Sequence, residues 1–216
     1  PFGSVMLGNE NPYTATPPSY RGVHNWVDST SSKGGLTICT RGEPISLGEA
    51  TALIAQMPML QFLLLRTVRS CHGEGPYYEQ KGIHSFQFDL HFHVGPLRRE
   101  MATRQGWELN SPLMAVIGEK TSKGQSPPEK QFLTIKPSNI VLSALKMAED
   151  RENTWILRCW ECEEETTRAE FQLDGTLCSV ERGSIIEDAL GEPLKIEKAS
   201  KFSDVFSSAS INTYLI

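Results

Sequence analysis

The chain has 216 residues, 39% hydrophobic and 22% charged, with 26 acidic side chains against 21 basic ones. That is enough chain to bury a core, as one large β domain or two smaller ones, and too apolar a composition for wholesale disorder. A net charge of −5 with no basic block argues against a nucleic-acid or anionic-membrane surface. The longest apolar run, Met57 to Leu65, is broken by Pro58 and Gln61 and falls far short of the roughly 20 residues of a membrane span.

Residues 1–22 are rich in Pro, Gly, Asn, Thr and Tyr and read as an irregular lead-in laid across another surface. Pro1-Phe2-Gly3 has neither the basic start nor the apolar stretch of a signal peptide, so the chain reads as excised from something longer. His24–Asp28 and Leu36–Thr40 form a hairpin around a turn at Ser29–Gly35. Ser46 followed by Glu49 makes a capping box, and Ala50, Leu53, Ile54 and Met57 share one helical face. Local rules thus give a short helix ended by Pro58, although the flanking strands could override it.

The chain is organised around Leu63–His93. Leu63-Leu64-Leu65 suits a strand buried on both faces, closed by Arg66. Phe86, Phe88 and Leu90 alternate with Gln87, Asp89 and His91 as in a half-buried strand that faces the first. Between them His72-Gly73-Glu74-Gly75-Pro76 supplies turn chemistry, and such a connection on a rigid sheet is where a β protein keeps binding residues. Gly95–Gly106 reads as a solvated loop and Pro112–Ile117 as a short strand. Thr121–Lys130 has linker composition, which places a domain division at 125/126.

In the second half, Phe132–Ile135 opens with a strand, and Ile140–Lys146 with Thr154–Cys162 makes a hairpin around a charged turn. Arg168–Leu173 alternates cleanly, with Ala169, Phe171 and Leu173 inward. Short strands follow at Cys178–Glu181, Leu194–Glu197 and Ser210–Ile216. Strands at this spacing predict an all-β fold, an antiparallel β-sandwich.

Five cysteines, an odd number thinly spread, point to free thiols in a reducing compartment, and hence to a cytoplasmic protein. Cys159-Trp160-Glu161-Cys162 is a single pair within strand-like sequence, where residues three apart face opposite ways, so these thiols read as packing residues and not a zinc site. His91 and His93 share a strand face, but no third metal ligand stands at motif spacing, so sheet packing or a hydrogen-bonded His is the default. Glu163-Glu164-Glu165 reads as a solvated turn. No phosphate loop, nucleophile elbow or zinc-protease motif occurs, and no carboxylates are paired by spacing. Arg66 at the end of a buried strand is either a functional group or an ion pair closing the sheet edge; His84 has the same two readings.

Several segments, in order over essentially the whole chain, resemble the C-terminal region of glycoside hydrolase family 38, the α-mannosidases. They are Pro1-Phe2-Gly3; Trp26-Val27-Asp28 with Gly35-Leu36-Thr37; Leu64-Leu65-Arg66 with Val68; and Gln80, Gly82, His84, Phe86, Phe88 and His93. Asn110 with Pro112-Leu113 follows, then Val141–Lys146 with Ala148-Glu149-Asp150 and Ile156–Glu161, and finally Ile211–Ile216. Phe88, Phe92 and Ser210 depart from the family's Tyr, Pro and Glu.

The resemblance implies a supersandwich portion over residues 1–125 and a smaller terminal β-sandwich over 126–216. It implies a retaining, zinc-dependent α-mannosidase whose zinc ligands and nucleophile lie in an N-terminal catalytic domain that no segment of this chain resembles. On that reading the chain holds no catalytic residue, metal or cofactor, and its partners are that domain of the same polypeptide and an α-mannoside. Arg66 and His84 become candidates for the substrate-cleft rim, because an Arg fork hydrogen-bonds sugar hydroxyls while its stem stays packed. An apolar patch is expected where the catalytic domain sits, sought in residues 1–22 and near Met57–Leu65. The alternative is an independent carbohydrate-binding sandwich, which needs a row of exposed aromatics; Trp26, Trp107, Trp155 and Trp160 are dispersed.

Overall fold

A computed structural model describes residues 20–21, 23–42, 45–47, 60–62, 64–65, 75, 79–118, 127 and 129–216. They belong to two compact units, one within Val5–Leu113 and the other within Met114–Ile216. In chain order the elements are β1 (Tyr20–Arg21), β2 (Trp26–Thr30), β3 (Gly34–Cys39), β4 (Ile45–Leu47), β5 (Leu60–Phe62), β6 (Asp89–Val94) and α1 (Arg99–Asn110). The second unit carries β7 (Leu133–Lys136), β8 (Ile140–Met147), β9 (Trp155–Glu161), β10 (Thr167–Leu173), β11 (Glu181–Gly183), β12 (Ile196–Glu197), β13 (Lys201–Phe206) and β14 (Ile211–Leu215). Every strand pairing is antiparallel, in keeping with the expected all-β class. Among the described residues no helix is long and apolar enough to cross a membrane.

The first unit holds two three-stranded sheets, ordered β1-β4-β5 and β2-β3-β6. The expected hairpin is β2–β3, and its turn closes with the Ser31 amide donating to the Gly34 carbonyl at 3.0 Å. Gly34 sits at φ +152°, and a Cβ there would lie 2.4 Å from the His93 carbonyl oxygen, so only glycine fits.

Four expectations in this unit are overturned. Of the strand expected over Leu63–Leu65, Leu64 and Leu65 are exposed and outside any strand, Leu63 lies outside the described residues, and β5 covers Leu60–Phe62. The two strands of the organising stretch do not pair in one sheet: β5 pairs with β4 and β6 with β3, and the contact between the two stretches is the Phe62 ring of β5 on Phe88, centroids 4.8 Å apart. Phe86 lies outside any strand, and β6 presents Leu90, Phe92 and Val94 to solvent while Asp89, His91 and His93 are the more enclosed. Polar partners on β2 and β3 explain that choice of face, as described below. Gly95–Gly106 is not a solvated loop, since α1 begins at Arg99 and buries Ala102, Thr103, Gly106 and Leu109, one helical stripe, while packing on β2 and β3.

Pro112–Ile117 forms no strand and its apolar side chains stand fully exposed. Of the expected Ser46–Met57 helix, Ser46 belongs to β4; the rest lies outside the described residues.

The second unit is a β-sandwich of two four-stranded sheets, ordered β12-β13-β10-β7 and β11-β14-β9-β8. Alternation builds it: Ala169 and Phe171 on β10 and Phe202 and Phe206 on β13 point inward against Leu157 and Cys159 on β9 and Tyr214 on β14. Phe171 stacks on Phe202 with centroids 4.6 Å apart, and Tyr214 meets both rings at 5.3 and 5.1 Å. Each such ring removed from water contributes about 1.5–3 kcal/mol. Strand β13 is the element missing from the sequence reading, because Asp204 occupies an inward position between Phe202 and Phe206.

Candidate functional site

Of the two expected rim residues, Arg66 lies outside the described residues. His84 is exposed, and its Nε2 lies 3.2 Å from the Gln80 carbonyl oxygen beside the Lys81–Glu79 ion pair. The ring is therefore available to a neighbour while its own chain holds one edge.

His93 is a tie, as a hydrogen-bonded sheet histidine should be. Its Nε2 donates to Asp28 Oδ2 at 2.9 Å, its Nδ1 lies 3.2 Å from the Gly95 carbonyl oxygen, and Thr37 Oγ1 donates to the same Asp28 oxygen at 2.7 Å. To reach β2 from β6 the ring crosses β3 at Gly35, where a Cβ would lie 2.8 Å from Nε2. Asp28, Thr37, His91 and His93 share one sheet face through the register Asp28↔Thr37↔His91, so the polar network fixes which side of β6 turns inward. Asp28 Oδ1 and His91 Nε2 are buried there with no hydrogen-bond partner among the described residues.

Cys159 packs in the sandwich core, and burial pushes its thiol up to about 12; Cys162 is also buried. Burial, then the charges of Asp89 and Glu108, raises Cys39 to about 11. The Cys39 and Cys159 thiols stay protonated and unreactive at neutral pH. Among the described residues no three His, Cys, Asp or Glu side chains are placed to hold a metal ion.

Two buried carboxylates, neither singled out by the sequence, bind loops to the sandwich. Glu161 accepts from Asn139 Nδ2 at 2.9 Å and the amides of Glu163, Glu165 and Ala209 at 2.7, 3.0 and 3.0 Å. Burial raises its pKa, but these donors outweigh that effect and hold it below the ordinary range. Asp204 accepts from Nε and Nη2 of Arg182 and from the Tyr214 hydroxyl at 3.0 Å; burial again opposes, and Arg182 and the other donors win. Both groups are saturated by their own chain and serve the fold.

Among the described residues a cleft of about 390 Å³ opens between the β8–β9 turn and the 184–188 segment, lined by Lys146, Glu149, Asp150, Arg151, Arg158, Ile185, Ile186, Glu187 and Asp188. Lys146 Nζ bridges Glu149 and Glu187 at 2.8 Å each. Arg158 donates to Thr213 Oγ1 at 3.1 Å and to the Ile185 carbonyl at 2.8 Å. The sequence shows the first of these stretches only as a charged turn, because the two lie far apart in the chain and only the sandwich brings them together.

Residues 139–214, about a third of the chain, match the profile described as "Glycosyl hydrolases family 38 C-terminal beta sandwich domain". Two solved structures from Enterococcus faecalis share the fold: an α-mannosidase from strain V583, TM-score 0.70 at 17% identity over 93% of this chain, and a protein in the glycosyl hydrolase family 38, TM-score 0.70 at 18% identity over 93%. The chain spans only 22% and 23% of those proteins. A search of curated proteins finds no match. The resemblance to the C-terminal β-sandwich region of family 38 is thereby borne out.

Proposed function

We propose, starting from that resemblance, that the chain is the C-terminal β region of a retaining, zinc-dependent α-mannosidase and carries no chemistry of its own. Residues 1–125 would be a supersandwich portion and 126–216 the terminal sandwich. Zinc belongs to the catalytic domain of the same polypeptide; this chain's part is structural, with Arg66 and His84 at the rim of the cleft that receives the α-mannoside, in a cytoplasmic enzyme. The observation that carries the reading is the family 38 match over 139–214 joined to a shared fold over 93% of the chain. Exposed apolar groups support it: Leu90, Phe92 and Val94 on one side of β6, and Leu113, Met114, Val116 and Ile117 after α1, are what a docked domain would cover. The independent carbohydrate-binding alternative finds no tryptophan platform on β9, since Trp155 is exposed but Trp160 on the same strand is buried.

The test is His84→Ala and Arg66→Ala in the complete polypeptide. A rim role predicts a raised KM for aryl α-mannosides with zinc content unchanged; unaltered kinetics in both variants refutes the rim assignment.

A further inference from the structure

We propose that the cleft between the β8–β9 turn and residues 184–188 is a binding site for a neutral polyhydroxylated ligand, a pyranoside. Its frame is already built. Lys146 holds Glu149 and Glu187, and half-buried Arg158 is fixed by Thr213 and the Ile185 carbonyl, so the wall does not have to be ordered on binding. Glu187 sits at φ +73°, a left-handed conformation unfavourable for a residue with a side chain. It is held there with its carboxylate 2.8 Å from Lys146 Nζ, 3.8 Å from Arg158 Nη2 and 3.4 Å from the Glu149 amide. Backbone strain retained by surrounding contacts gathers where a surface binds something.

The groups left over define the ligand. Asp150, Arg151 and Asp188 line the cleft with no side-chain partner among the described residues. Four carboxylates against three cations, two of the cations already engaged by Glu187, disfavour an anion. No set of three metal-ligating side chains is present among the described residues, which disfavours a bound cation. What fits one planar donor fork beside two acceptors is a group that both gives and takes hydrogen bonds without charge, and adjacent hydroxyls on a ring do so. Exposed Ile185 and Ile186 offer an apolar edge for the ring's C–H face, and about 390 Å³ falls within the range of small-molecule sites. His84 does not line this cleft, so the inference stands apart from the reading of His84 as a rim residue.

The test is a ¹⁵N-resolved NMR titration of the 216-residue chain with methyl α-mannopyranoside, methyl glucoside and methyl galactoside, with inorganic phosphate and calcium as separate arms. Saturable shifts are expected for at least one glycoside at the amides of Ala148–Arg151 and Ile185–Asp188. The affinity should weaken roughly tenfold in Arg151→Ala and in Asp188→Asn, and stay unchanged in Glu170→Gln, an exposed position on β10 in the other sheet. Three results overturn the proposal: no saturable shift with any glycoside, saturation that both cleft variants leave unaltered, or phosphate or calcium saturating these amides where glycosides do not.

Discussion

Replacing Glu161 with Gln tests the reasoning about the sandwich most sharply, because the shape is kept while two acceptor positions are lost. Oε1 takes Asn139 and the Glu163 amide, and Oε2 takes the Glu165 and Ala209 amides. Whichever way the glutamine turns, its NH2 faces two of these four donors. Each donor left unsatisfied costs about 1–3 kcal/mol, so the variant should lose about 2–6 kcal/mol. Urea unfolding at pH 7 reads the total, and hydrogen exchange gives the location: the amides of Glu163, Glu165 and Ala209 should lose protection ahead of the Phe171–Tyr214 core. The pH dependence adds a second check. A carboxylate held below its ordinary pKa stabilises the fold above the unfolded value, about 4.3, and that contribution disappears as pH falls through the lower folded value. Wild-type stability should therefore drop with acid, and E161Q should lack that part of the drop. A variant within about 0.5 kcal/mol of wild type at pH 7 refutes the account of Glu161 as a loop clamp.

Further expectations follow from the same structure. Phe171→Ala, which removes a fully buried ring touching Phe202, Phe206 and Tyr214, should cost about 3–5 kcal/mol by chemical denaturation. Gly35→Ala should destabilise the β2-β3-β6 sheet by about 1–3 kcal/mol or more, since its Cβ would lie 2.5 Å from the Ser29 carbonyl oxygen and 2.8 Å from His93 Nε2; selective loss of exchange protection in β2 and β6 is the readout. Asp204→Asn should weaken the tie from β13 to Arg182 and Tyr214 and, like E161Q, remove part of the acid-induced loss of stability, because Asp204 too is held below its ordinary range.

The terminal sandwich was legible because strand periodicity was clean there. Phe171 and its neighbours alternate, and the β8–β9 hairpin and β10 lie where the pattern puts them. Strand β13 was not legible, since a buried aspartate reads as a surface residue until Arg182 is seen to neutralise it and Tyr214 to donate to it. Helix α1 was missed because its inward stripe, Ala102, Thr103, Gly106 and Leu109, is made mostly of small residues that register weakly as apolar. On β6 the hydrophobic rule failed outright, because Asp28 and Thr37 on the neighbouring strands bind His93 and turn Leu90, Phe92 and Val94 outward. Of the candidate site, His84 could be placed on an exposed segment, whereas the β8–β9 cleft depends on residues far apart in sequence.

The most direct measurement of the central claim is the hydrolysis of an aryl α-mannoside by the purified 216-residue chain, with and without added zinc. The account predicts no turnover above the uncatalysed rate in either case, and activity only when these β layers are joined to the catalytic domain. Zinc-dependent turnover by the chain alone would contradict it.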